Sequence, residues 1–67
     1  MFVVLELQKG DKMAVLVATY DNYTAALSKF YQTMVSVTQS AVPIHTVLIM
    51  DEVGQVMKKE TVYHQEG

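Results

Sequence analysis

The chain has 67 residues, a net charge of −2 and no cysteine, so a disulfide framework is excluded. Its two histidines have no clustered ligand pattern around them, whereas a structural zinc site needs three or four ligands. The basic residues other than histidine are all lysines, and arginine is the preferred residue for phosphate and guanine recognition. We therefore expect no nucleic-acid partner. The longest apolar run, Met13–Ala18, is far shorter than the roughly 20 residues of a membrane helix, so we expect no membrane partner.

The composition predicts self-association. Hydrophobic residues make up 51% of the chain and charged residues 18%, against roughly 45–50% and 25% in typical globular domains. A core this small supplies about 3–5 kcal/mol, and such domains commonly add a disulfide, a metal or a partner chain. We expect a homo-oligomer, with a dimer as the first expectation; a monomer with surplus apolar surface is the alternative. The N-terminal stretch lacks the basic region and cleavage site of a signal peptide, which predicts a cytoplasmic protein.

Two apolar segments near the N-terminus predict a β-hairpin. Phe2–Gln8 and Met13–Tyr20 are rich in β-branched and aliphatic residues, and the polar stretch between them contains Gly10, which suits a turn. Both faces of the second strand are largely apolar, which indicates that the sheet is at least partly covered on its second side. We expect the face toward a helix to carry Val3, Leu5 and Leu7, and the opposite face to carry Phe2 and Val4.

The segment Asp21–Ala41 predicts the α-helix around which the rest of the chain is arranged. Its apolar residues recur at alternating spacings of four and three residues, which places them on one stripe. Asp21 or Asn22 can cap the first turn, and Pro43 stops the helix because proline has no backbone N–H to donate. The stripe consists of Tyr23, Leu27, Phe30, Met34, Val37 and Ala41.

The C-terminal third predicts a second hairpin. Ile44–Met50 reads as a third strand, and the turn Asp51–Gly54 ends in a glycine suited to a left-handed conformation. Gln55–His64 reads as a fourth strand, and the charged run Lys58–Glu60 in its middle is typical of an edge strand protected against stray pairing. The tail, Gln65–Gly67, is expected to fray.

These elements predict a single α+β domain, residues 1–67, with the order ββαββ. The fold is a two-layer structure in which a four-stranded antiparallel sheet carries one helix on one face. The strand order is 2-1-3-4 if the first strand lies between the second and third, and the order 1-2-3-4 is the alternative. A right-handed crossover is favoured. The predicted core consists of Val3, Leu5, Leu7, Leu27, Phe30, Met34 and Val37.

The residues that titrate near neutrality do not form a recognisable catalytic pattern. His45 and His64 are interpreted as partly exposed strand histidines, and a pairing of one of them with Glu60 or Glu6 is the functional alternative. The acidic pair Asp51–Glu52 suits a turn, and no motif places a nucleophile beside a base. The sequence therefore predicts no catalytic residues, no cofactor and no metal site, and a protein that is not an enzyme.

Tyrosines and an uncharged helix surface indicate where a partner binds. Tyrosine suits surfaces with one wet and one dry side, and the helix face opposite the stripe carries mainly small uncharged polar residues, as moderately polar interfaces do. The predicted interface consists of Phe2, Val4, Leu16, Tyr20, Tyr31 and Val35.

Four short segments carry a resemblance to a known group of proteins: Glu6–Gln8, Ala26–Gln32, Val42–His45 and Asp51–Gly54. Together they resemble short uncharacterised proteins encoded by bacteria and their phages or prophages, over nearly the whole chain. The resemblance implies an accessory intracellular protein and carries no catalytic residue.

The leading functional expectation is a non-enzymatic, self-associating binding protein, such as a phage-encoded modulator of a host protein. The alternative is a protein that sequesters a small molecule or nucleotide in a pocket between subunits, using the tyrosines, His45 and the lysines.

Overall fold

The computed structural model describes residues 1–64, which form one four-stranded sheet and one helix. The predicted order ββαββ and the α+β class are confirmed. The predicted tail, Gln65–Gly67, lies outside the described residues. The elements are β1 (Phe2–Lys9), β2 (Met13–Tyr20), α1 (Tyr23–Thr38), β3 (Ile44–Asp51) and β4 (Val56–Tyr63).

The strands lie in the order β2-β1-β3-β4, and every neighbouring pair is antiparallel. Of the two orders that the sequence leaves open, the structure has 2-1-3-4 and not 1-2-3-4. The helix leaves one edge strand, β2, and returns the chain to the centre of the sheet at β3. Gly54 has a φ of +87°, as expected for the glycine of the β3–β4 turn, and a bulge interrupts that pair between Ile49 and Met50.

Asn22 begins the helix and a short irregular segment ends it. The Asn22 Oδ1 accepts a hydrogen bond from the Ala25 N–H at 2.8 Å, which satisfies one donor of the first turn. The helix ends at Thr38, earlier than the predicted Ala41. The Gln39 N–H closes the last turn on the Ser36 carbonyl at 3.1 Å, and the chain then approaches Pro43 in a non-helical conformation.

The core lies between α1 and the two central strands. Phe30 and Val37 are buried, and Leu27 and Met34 pack against the buried cluster, so the predicted core residues of the helix are confirmed. The helix contacts β3 and β1 more than β2. The buried hydrophobic residues are Val4, Ala26, Phe30, Val37, Val47 and Ile49.

The predicted orientation of β1 is wrong. Val4 is only 4% exposed and belongs to the core, whereas Val3, Leu5 and Leu7 are only partly buried. Because successive side chains of a strand point to opposite faces, Val3, Leu5 and Leu7 point away from the helix. Glu6 lies on the helix side with Val4, where it has a hydrogen-bonding partner.

Truncating the largest buried side chain is expected to unfold the domain. Phe30→Ala removes a ring that is 1% exposed and leaves a cavity, so it should cost about 3–5 kcal/mol, comparable with the whole stability of so small a domain. Val35→Ala, on the exposed side of the same helix, should change the unfolding free energy by less than about 0.5 kcal/mol. Thermal melts measure both; a Phe30→Ala melting temperature within about 2 °C of the parent would contradict the core assignment.

Candidate functional site

The side of the sheet away from α1, here called the open face, is an apolar surface that no helix covers. The helix lies against the opposite side of the sheet, and no other element within residues 1–64 packs on the open face. Antiparallel registers align its side chains in rows across the strands, since directly paired residues share a face. Its centre consists of Val3, Leu5, Leu7, Val17, Leu48 and Met50.

The open face is apolar in the middle and carries charge only at its margin. Val17, Leu5 and Leu48 are paired in sequence across three strands and form its central row, which ends at Lys59 on β4. The charged strand residues on this side are Lys9, at the end of β1, and Lys59, on the edge strand β4. Val17 is 61% exposed. Large contiguous apolar surfaces with polar rims are typical of interaction sites.

A buried polar cluster lies on the other side of the sheet, beneath the helix. His45 is 1% exposed, and its Nδ1 lies 2.9 Å from the Glu6 Oε2. With Glu6 ionised, Nδ1–H is the donor and the carboxylate oxygen accepts. The Gln8 Nε2 donates to the same Glu6 oxygen at 3.0 Å. The alternative pairing predicted for a histidine, with Glu6, is therefore present, and the interpretation of His45 as partly exposed is wrong.

His64 extends this cluster to the end of the helix. Its Nε2–H donates to the Val37 carbonyl at 2.7 Å, in the last turn of the helix, where the same carbonyl also accepts from the Ser40 N–H at 3.2 Å. Its backbone N–H donates to the Pro43 carbonyl at 2.7 Å. The rings of His45 and His64 lie edge to face, with their centroids 5.7 Å apart. His64 thus joins the end of β4 to both the helix and the start of β3.

The contacts of the cluster account for a structural role. The His45 side chain is 2% exposed, so its ring is closed to solutes in this structure. The His45 Nε2 has no hydrogen-bond partner among the described residues, which is costly for a buried polar atom. Glu6 pairs with the other ring nitrogen, Nδ1, so one of the two polar atoms of the buried ring is satisfied. Among residues 1–64, no group of three or more His, Asp or Glu side chains is placed to hold a metal ion.

The outer side of the helix carries a second, smaller apolar surface. Tyr31 and Val35 are 54% and 61% exposed. The Lys58 Nζ lies 5.6 Å and 5.7 Å from the ring centroids of Phe30 and Tyr31, within range of a cation–π interaction. Tyr31 is thus held beside β4, and this surface is narrower than the open face.

The structure separates the six side chains predicted to form an interface. Val4 is a buried core residue, which excludes it from a surface contact, and Phe2 and Tyr20 pack against the same core on the helix side. The expected apolar surface on the second side of the sheet is present, but the residues of the open face form it. The exposed members of the predicted set are Leu16, Tyr31 and Val35.

Two shallow grooves lie at the margins of the fold. One, of about 220 Å³, lies between α1 and β2 and is bordered by Glu6, Leu16 and Lys29. The other, of about 560 Å³, lies open to solvent between the β1–β2 turn and the segment 41–44. The first is smaller than the roughly 300–1,000 Å³ of typical small-molecule sites, so it would need a second chain to enclose a ligand.

Comparisons with known proteins add no relative. No protein-family profile, curated protein or solved structure matches the chain. The resemblance to short bacterial and phage proteins therefore stays a prediction. Within residues 1–64, no helix is both long and apolar enough to cross a membrane.

A double-variant cycle is expected to show that Glu6 and His45 stabilise each other. Glu6→Leu leaves the buried His45 Nδ1 without its partner and should cost about 1–3 kcal/mol. The double variant Glu6→Leu/His45→Leu should cost at least about 1 kcal/mol less than the sum of the two single variants. Urea unfolding measures each term.

The matched control for this cycle is Glu60→Leu. Glu60 is an exposed acid on the same side of the sheet and in the same cross-strand row as Glu6. Its loss should change the unfolding free energy by less than about 0.5 kcal/mol. Additive costs for the Glu6 and His45 variants would contradict the role given to the pair.

Proposed function

We propose that the chain is a non-enzymatic binding protein that self-associates through the open face. The observation that supports this most strongly is the position of Leu5 and Leu48, two leucines paired at the centre of the sheet with their side chains directed away from the only helix of the described chain. Burying such side chains stabilises a fold, and leaving them in water forfeits that contribution. A second copy offers the same apolar surface in return.

The area of the open face is sufficient for a small specific interface. Four strands about 4.8 Å apart, each with eight residues rising about 3.3 Å per residue, give a face of roughly 500 Å². Two copies packed face to face would bury roughly 1,000 Å², which is the lower limit for a specific protein–protein interface.

The arrangement of charge favours a two-fold dimer of this kind. Sheets pack about 10 Å apart with their strands rotated by about 30°. A two-fold axis that lies between the two sheets, roughly along the row of Val17, Leu5 and Leu48, brings this row against its own copy. Lys9 and Lys59 lie at the margin, where they remain hydrated. No charged side chain of the four strands would be buried at the centre.

The remaining surfaces are compatible with a binding role for the dimer. Face-to-face packing leaves the outer side of α1, with Tyr31 and Val35, available to a host protein. The small-molecule alternative draws on the groove between α1 and β2, which borders Glu6 and Lys29 and has too little volume without a second chain. The buried His45 takes no part in either contact.

The proposal predicts that Leu5→Lys weakens self-association strongly. A lysine at the centre of the open face would bring two like charges together in a desolvated contact, which is unfavourable. Val35→Lys is the matched control, because it puts the same charge on the outer side of the helix. Sedimentation velocity at tens of micromolar should give a dimer or larger assembly for the parent and for Val35→Lys, and a smaller species for Leu5→Lys. A monomeric parent, or greater sensitivity to Val35→Lys, would contradict the proposal.

A further inference from the structure

The strand β2 forms a free edge of the sheet that has none of the usual protection. On its outer side it pairs with no other strand of residues 1–64, and its eight residues, Met13–Tyr20, include no charge and no proline. Soluble proteins commonly protect such edges with charged residues, prolines or bulges. The opposite edge, β4, has both a bulge and the charged run Lys58–Glu60. The contrast indicates that the edge of β2 has a partner.

The hydrogen bonds between β3 and β4, followed through the strand registers, determine which backbone groups of β2 face outward. The His64 N–H donates to the Pro43 carbonyl and the Asp51 N–H to the Gln55 carbonyl, so odd-numbered residues of β3 direct their backbone groups toward β4. Backbone groups of alternate residues point to opposite neighbours, so even-numbered residues of β3 face β1. Leu48 is paired with Leu5, and Leu5 with Val17. Odd-numbered residues of β1 therefore direct their backbone groups toward β3, and its even-numbered residues direct theirs toward β2. In β2, the even-numbered residues face β1. The outward-facing residues of β2 are Met13, Val15, Val17 and Thr19.

We propose that β2 pairs antiparallel with β2 of a second copy, so that two sheets join edge to edge. The four outward-facing residues are spaced symmetrically about Leu16. A two-fold axis at Leu16 therefore matches Val15 with Val17 of the second copy and Met13 with Thr19. In this register every outward N–H and C=O of the four residues finds a partner, because each such residue pair exchanges two hydrogen bonds.

The side chains and helices are compatible with this register. Directly opposed pairs are Val15 with Val17 on the open face, and Leu16 with its own copy on the helix side, where it is 55% exposed. Apolar and β-branched pairs of this kind stabilise antiparallel sheets. The helix lies mainly over β1 and β3, so the two helix axes would be roughly 19 Å apart, about twice the spacing of packed helices. The helices therefore do not obstruct the pairing.

This contact is distinct from the face-to-face packing of the proposed function. The two surfaces share Val15 and Val17 side chains, but edge pairing uses the backbone and leaves the open face accessible. A chain that uses both contacts would assemble as a tetramer of two eight-stranded sheets packed face to face. The groove beside Leu16, which also borders Lys29, would then lie next to the junction of two copies.

Amide hydrogen exchange followed by NMR tests the edge contact directly. In the parent protein at hundreds of micromolar, the Val15 and Val17 amides should exchange at least about tenfold more slowly than those of Lys59 and Thr61, which face outward on the opposite edge. The protection should decrease on dilution, because it depends on a second copy. Equal exchange at the two edges, or protection independent of concentration, would overturn the proposal.

Leu16→Lys is the matching variant. It places two lysines opposite each other at the two-fold axis, and like charges directly opposed in a sheet are destabilising. Inside each chain, residue 16 is paired with Glu6. Glu60→Lys is the control, because it puts a lysine in the same cross-strand row at the opposite edge. The slow exchange should be lost in Leu16→Lys and retained in Glu60→Lys; the reverse would overturn the proposal.

The variant Leu5→Lys separates this proposal from the previous one. It disrupts the open face without touching the edge, so slow exchange at Val15 and Val17 should persist in it. Its effect on sedimentation reports on the face alone. If protection is lost with the Leu5 variant, the edge contact does not exist independently of the face and the proposal fails.

Discussion

A single helix can cover only one face of a four-stranded sheet, and this limit underlies the rest of the structure. α1 closes the core over Val4, Val47 and Ile49, and the same strands carry Leu5 and Leu48 on the side that the helix does not reach. A chain of 67 residues has no further element within residues 1–64 to cover that side. The apolar residues of the open face are therefore the surface on which we propose that a second copy packs.

The hydrogen bond between Glu6 and His45 makes the observed side of the sheet acceptable as the face under the helix. Val3, Leu5 and Leu7 share one face of β1, while Glu6 and Gln8 lie on the other with Phe2 and Val4, so the hydrophobicity of β1 alone favours the opposite orientation. The 2.9 Å contact between Glu6 and His45 compensates part of the cost of burying both, because each would otherwise be an unpaired polar group under the helix. In this orientation Val4 lies in the core. Val3, Leu5 and Leu7, whose side chains are as large as that of Val4 or larger, lie on the open face.

The sequence predicts the helix and the strands well because each rests on a strong local signal, whereas it leaves the strand order open between 2-1-3-4 and 1-2-3-4. The stripe containing Phe30 and Val37, the asparagine cap and the charged run of β4 all have the structural role expected. The predicted face of β1 is wrong because its most apolar side, with Val3, Leu5 and Leu7, is not the side that the helix covers. The pairing of a histidine with Glu6 is among the sequence-based alternatives, but the pattern of β1 alone does not indicate that this pair is buried. The unprotected edge of β2 follows only from the observed strand order, combined with the hydrogen bonds that fix the direction of its backbone groups.

The central claim is that a second copy covers the open face. An isotope-filtered nuclear Overhauser experiment on a mixture of labelled and unlabelled chains tests it most directly, because it detects only contacts between copies. The account predicts intermolecular signals among the methyl groups of Leu5, Leu48 and Val17, and none at Val35. Intermolecular signals confined to Val35 and Tyr31, or none from the open face at hundreds of micromolar protein, would contradict it.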